Sequence, residues 1–228
     1  MHFHLPKPMH GWREFVGEIA IIVIGVLIAL GAEQVVEAAH WRDEVRTFRE
    51  AVDHELGRNI EIYANVIAQR PCVDRNLADL ERFLTDSAAG QRDKILRPIG
   101  RPFLQSQYFS VWDNKGSDVT QHLPMDARIS YSELYDEFRN NDTVRSKEGE
   151  VWRSLPQFEG AEPLDHADRM RLRELLTRAE GLNAVTPGNY TYILGLARRL
   201  GLGKIGAQAS FTYQPEFCSP LIAPKPSG

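Results

Sequence analysis

Apolar positions crowd into one stretch near the start of this chain, then recur every three or four residues almost to its end. Residues 19–32 run Ile-Ala-Ile-Ile-Val-Ile-Gly-Val-Leu-Ile-Ala-Leu-Gly-Ala. Extended back through Phe15, Val16 and Gly17, with Glu18 as the one interruption, the run covers about 18 residues. That is roughly 27 Å of helix, close to the hydrocarbon thickness of a bilayer. Trp12 and Phe15 stand at one end and Trp41 about two turns beyond the other, where interfacial aromatics are useful. The pattern predicts a short N-terminal arm (1–14) and a transmembrane anchor (15–32) that ties the rest of the chain to a lipid bilayer.

Two other readings compete for the run. A buried core helix usually keeps a polar face, whereas this stretch is apolar all round. A cleaved signal peptide would suit Ala29-Leu30-Gly31-Ala32, with its small residues at alternate positions. Against cleavage, Glu14 and Glu18 precede or interrupt the run, and the helical pattern continues into residues 33–69.

Beyond the anchor, Val45, Phe48, Val52, Leu56, Asn59, Tyr63 and Val66 recur at helical spacing, with no proline between Gly11 and Arg70. This predicts one helix leaving the membrane as an amphipathic stalk. Pro71 suits the first turn of a second helix, whose stripe is Val73, Leu77, Leu80, Phe83 and Leu84. The two helices would form a hairpin, with Val45, Phe48, Val52 and Leu56 packed against residues 73–84.

Residues 91–116 break the pattern. Pro98, Gly100 and Pro102 with Phe103, Tyr108, Phe109 and Trp112 predict an irregular connection packed onto the bundle. Helices are expected again over 126–140, 143–155, 164–183 and 190–200. Leu-Asp-His-Ala-Asp at 164–168 supplies an acidic first turn that suits the helix dipole, and Gly201 stops the last helix. No alternating runs are joined by a hairpin turn. The fold class is therefore all-α: a transmembrane helix continuing into a helical hairpin and bundle (33–214), with an irregular central connection and an extended Pro-rich tail (215–228).

Charge and cysteines narrow the setting. A net charge of -4 leaves no basic footprint, so nucleic acid is excluded as a partner. Lys7 and Arg13 before the span balance Arg42 and Arg46 after it. The short arm, and the acidic flank of Glu33, Glu37, Asp43 and Glu44, place the N-terminus inside. The two cysteines, Cys72 and Cys218, are candidates for a disulfide tying the tail to the start of the second helical segment. The alternative is two separate buried thiols. No Cys-x-x-Cys occurs, which argues against a thiol redox centre or a cysteine zinc site.

The stretch from Gly17-Glu18-Ile19 through Ile24-Gly25-Val26-Leu27-Ile28-Ala29-Leu30 resembles the start of a family of uncharacterised bacterial single-pass membrane proteins. In them a Gly-Glu opens a short membrane helix that runs into a polar, acidic stalk. Glu55-Leu56-x-x-Asn59 is similar to their stalk helix, and the match covers about residues 12–85. The chain departs from them at Gly31-Ala32-Glu33-Gln34, where those proteins carry an Asn-rich stretch ending in Trp. The resemblance implies an envelope protein with a helical domain and brings no activity with it. With the N-terminus inside, the location is the bacterial inner membrane, with a cytoplasmic N-terminus and the bulk of the chain periplasmic.

Candidate chemistry is thin. None of His2, His4, His10, His40, His54, His122 and His166 falls in a HExxH-type arrangement. Gly201-Leu-Gly203-Lys-Ile-Gly206 matches GxGxxG but follows a helix and reads as a cap and loop. No Gly-x-Ser-x-Gly elbow is present, and the carboxylate pairs Asp136/Glu137 and Glu148/Glu150 read as solvated helix faces. No catalytic residue, metal site or cofactor is expected. The anchor itself carries the best lead. Glu18, Gly25, Ala29 and Ala32 share one stripe of the membrane helix, small residues in line with a carboxylate, and small-x-x-x-small spacing lets two helices approach closely. The alternative is a plain lipid-facing anchor.

Together these features point to a non-enzymatic, membrane-anchored scaffold or interaction protein, a homo-oligomer or the partner of another envelope protein. A ligand-sensing helical module that signals through a partner membrane protein is the alternative.

Overall fold

A computed structural model describes residues 11–91, 93–103, 105–160, 163–202 and 216–223. It is helical, with no strand among the described residues. The helices are α1 (Trp12–Ala88), α2 (Ser110–Asp113), α3 (Ser117–Gln121), α4 (Met125–Ser154), continued by a 3-10 turn (Leu155–Phe158), and α5 (His166–Arg199).

α1 is 77 residues long, about 115 Å. It contains the apolar run, which is long and apolar enough to cross a membrane and is nowhere buried against the rest of the chain. The expected hairpin does not form, because α1 passes straight through Pro71. Proline removes the amide that the Ile67 carbonyl would accept from. Pro71 lies on the exposed face, so water can serve that carbonyl instead. From Val66 to Val73 is seven residues, two turns, so the buried stripe crosses the proline without losing register. Val52 and Leu56 accordingly pack on α2, α4 and α5 rather than on residues 73–84.

The expected breaks near 141–142 and 184–189 are also absent. α4 runs on with Asn141 buried, and α5 continues through Pro187. The outer boundaries agree with the sequence. Asp165 caps α5 by accepting from the Asp168 amide at 2.8 Å. Gly201, at φ 81°, ends it, with the Leu202 amide donating back to the Ala197 carbonyl at 2.9 Å.

The packed elements alternate in direction. α1 rises away from the anchor, residues 97–103 and 105–109 return along it as an extended strap, α4 rises again and α5 returns. The strap fills the place a second helix would take in a four-helix bundle. Two apolar cores result. The proximal one joins Val52, Leu56, Ile60 and Tyr63 to Trp112, Tyr131, Tyr135, Phe138 and Leu196. The distal one joins Leu77, Leu80 and Phe83 to Trp152, Phe158, Leu172, Phe217 and Leu221. Between them lies a polar layer: Asn65, Gln69 and Arg70 of α1, Asn141, Arg145 and Glu148 of α4, Asn183 and Thr186 of α5.

Candidate functional site

Polar residues inside the α1 stripe hold the strap in place. Asn59 donates to the Tyr108 carbonyl and accepts from the Tyr108 amide, both at 2.7 Å. Gln69 accepts from the Phe103 amide at 2.8 Å. Glu55, 5% exposed, accepts from the Val111 amide at 2.9 Å, the Ser110 hydroxyl at 3.1 Å and the Tyr135 hydroxyl at 2.7 Å. Its carboxylate thus serves the first turn of α2, whose amides lack helical partners. Burial, and then the Glu55 hydrogen bond, push the Tyr135 hydroxyl far above the ordinary tyrosine range.

The tail is held the same way. Asn76 donates to the Phe217 carbonyl at 3.0 Å, and Arg75 to the Cys218 carbonyl at 2.6 Å. Asp79 accepts from the Leu221 amide at 2.7 Å. Arg97 spends its guanidinium on Asn76 and on the carbonyls of Phe217 and Ser219. Cys72 and Cys218 are joined in a disulfide with Cα atoms 4.7 Å apart, as the sequence allowed. Residues 216–223 form a turn and one isolated bridge, Ile95 to Ile222; the rest of the expected tail lies outside the described residues.

In the polar layer, Arg145 donates to Glu148 at 2.9 Å and to the Phe103 carbonyl at 2.7 Å. Glu148 is 5% exposed, which corrects its assignment to a solvated face. Burial pushes its carboxyl up and the Arg145 guanidinium down, each opposed by the other's charge. Both polar atoms of the buried Gln107 amide are without partners. No signal in the sequence marks these residues as a group. The one available sign is a polar residue on an apolar stripe, as at positions 55, 59, 69 and 76.

The anchor stripe stands apart from all of this. Glu18, Gly25, Ala29 and Ala32 are exposed, and a Cβ built on Gly25 would meet nothing within 4 Å. At about 100° per residue, the stripe lies roughly opposite the Ala38, Trp41, Val45 and Val52 face that turns toward the bundle. Just above the anchor, an open cleft of about 520 Å³ is lined by Gln34, Glu37, Ala38, Trp41, Arg42, Val45 and His122. The Trp41 and His122 rings stack there with centroids 4.0 Å apart. Among the described residues no group of three or more His, Cys, Asp or Glu side chains could hold a metal ion. His2, His4, His10, Gly203 and Gly206 lie outside them.

No family model matches the chain, and no curated protein or solved structure does.

Proposed function

We propose that this chain is a non-enzymatic, single-pass scaffold of the bacterial envelope, anchored in the inner membrane with its helical bundle in the periplasm. The observation carrying the reading is the continuity of α1, one unbroken helix from the exposed apolar stretch to the floor of both cores. Such an element fixes the bundle to whatever the anchor binds. The disulfide suits an oxidising compartment. Among the described residues, the buried Glu55, Asn59, Gln69, Asn76 and Arg145 are spent on holding the connection and the tail, and no group of three or more His, Cys, Asp or Glu side chains could hold a metal ion. The resemblance of the anchor to bacterial single-pass proteins supports the same reading.

Association runs through Glu18, Gly25, Ala29 and Ala32, packed against a second copy of the anchor. Because that stripe faces away from the bundle, two anchors can meet with their bundles pointing outward. The test is intramembrane crosslinking from cysteines placed along the anchor in a chain whose native disulfide stays closed. Crosslinks should peak at positions 25, 29 and 32. Gly25→Leu should weaken association by about 1–3 kcal/mol, as overpacked contacts do. A flat crosslinking profile, unchanged by Gly25→Leu, would reduce the segment to a lipid anchor.

A further inference from the structure

The cleft beside Trp41 begins where the apolar run ends. Gln34, its lowest lining residue, is two residues past Ala32, about 3 Å along the helix, and Ala38 is about 9 Å along it. A bilayer's head-group layer extends about 5–7 Å beyond each face of its hydrocarbon core. The lower edge of the cleft, at Gln34 and Glu37, therefore opens into that layer when α1 crosses the membrane.

Its chemistry is divided. Ala38, Val45 and the Trp41 ring supply apolar surface. Glu37 supplies a carboxylate, drawn toward the ring by the Trp41 indole, which donates to it at 3.4 Å. Arg42 is exposed and, unlike the neighbouring Arg46 with its Asp43 and Glu50 partners, forms no ion pair among the described residues. Stacking of His122 on Trp41 brings an imidazole from the loop between α3 and α4 onto the same wall. A cation and an imidazole near one carboxylate, over a small apolar surface, match a phosphodiester that carries an ammonium a few bonds away. A long arginine side chain on a stalk can also reach down to the interface.

We infer that this cleft binds the head group of a zwitterionic phospholipid from the membrane that α1 crosses, with the phosphate on Arg42 and His122 and the ammonium on Glu37. The bound lipid fills the gap between anchor and bundle, fixing the height of the bundle above the bilayer. The inference rests on the reading of α1 as a membrane anchor.

The test uses the full chain in phosphatidylethanolamine–phosphatidylglycerol vesicles doped with phosphatidylcholine bearing a nitroxide on its head group, in a Trp12→Phe background. Flotation with the vesicles reports the anchor separately; a chain that fails to float overturns the anchor reading and the inference with it. For a chain that floats, the Trp41 emission, isolated by subtracting a Trp41→Phe control, should be quenched. Arg42→Gln should lower the apparent affinity for the labelled lipid about tenfold, the weight of one charge-assisted hydrogen bond, with flotation unchanged. His122→Ala should lower it in the same direction. Unquenched Trp41, or quenching indifferent to both substitutions, would overturn the inference. Relief of the quenching by dissolved inorganic phosphate as effective as that by glycerophosphoethanolamine would also overturn it, because the cleft would then take any phosphate rather than a zwitterionic lipid head group.

Discussion

The two halves of α1 are one helix by backbone and two by environment. From Trp12 to Ala51 the side chains are exposed, apart from a few half-buried ones facing the bundle, and apolar Val35 and Val36 are each 70% exposed. From Val52 to Ser87 the same helix forms the floor of both cores and holds the strap and tail through Glu55, Asn59, Gln69, Asn76 and Asp79. The packed half owes its position to contacts made within the chain. The bare half makes almost none, and its apolar side chains stay uncovered by the described chain. Substitutions in the two halves should therefore separate cleanly: stability effects in one, association effects in the other.

The largest stability effect belongs to Glu55→Ala. It leaves the Val111 and Trp112 amides and the Tyr135 hydroxyl buried without their acceptor, which should cost about 3–5 kcal/mol. Chemical denaturation of the full chain in detergent, followed by near-ultraviolet circular dichroism, reads this directly; a loss under about 1 kcal/mol would mean the strap is held mainly by apolar contacts. Replacing Cys72 and Cys218 together with Ser should lower stability by about 2–4 kcal/mol in the same assay. The tail should nevertheless stay docked through Arg75, Asn76, Asp79 and Arg97, and protease resistance at residues 216–223 checks that.

Those two predictions also mark what could be read in advance. The long apolar helix, the irregular connection, the acidic start of the last helix at 164–168 and the Gly201 stop each follow from a local signal and were legible. Pro71 and Pro187 were misleading, because a proline looks like a boundary when only its own turn is considered. The lost hydrogen bond is worth about 3 kcal/mol in an isolated helix, less than two flanking turns of well-buried side chains provide. The seven-residue step from Val66 to Val73 was the better guide. The strap anchors were harder still. Asn59 and Gln69 bond to backbone groups of an irregular segment, and backbone groups leave no mark in a sequence.

A smaller effect should come with alkali. Burial, ahead of the Asp53 hydrogen bond, pushes the Tyr131 hydroxyl up to about 12 from its ordinary 10. Burial likewise raises Tyr63 and Tyr135. A tyrosine with a raised folded pKa contributes stability that is fully present below the unfolded value. Between pH 10 and 12 the unfolded chain loses the Tyr131 proton while the folded chain keeps it. Stability should fall by about 1.4 kcal/mol per pH unit from this residue alone. Tyr131→Phe should flatten the curve measurably, and an unchanged slope would show that this hydroxyl ionises freely in the folded chain.

The smallest effect sharpens the contrast from the other side. Arg46 pairs with Asp43 at 3.4 Å and Glu50 at 3.5 Å on the bare half, with all three side chains mostly exposed. Arg46→Ala should change stability by no more than about 0.5 kcal/mol. A larger loss in thermal melts would mean that the bare half is packed against something after all.

The union of Cys72 with Cys218, and the seating of Phe217, Leu221 and Ile222 against Leu77 and Leu80, also set an order of events. α1 is made before α2 to α5, yet its distal surface is completed by residues made more than a hundred positions later. Synthesis can therefore deliver a finished anchor long before it delivers a finished bundle. In that interval the emerging chain carries Leu77, Leu80 and Phe83 uncovered. A protein stalled or clipped before residue 217 would be left in that condition, its distal core unsealed and open to proteases and chaperones.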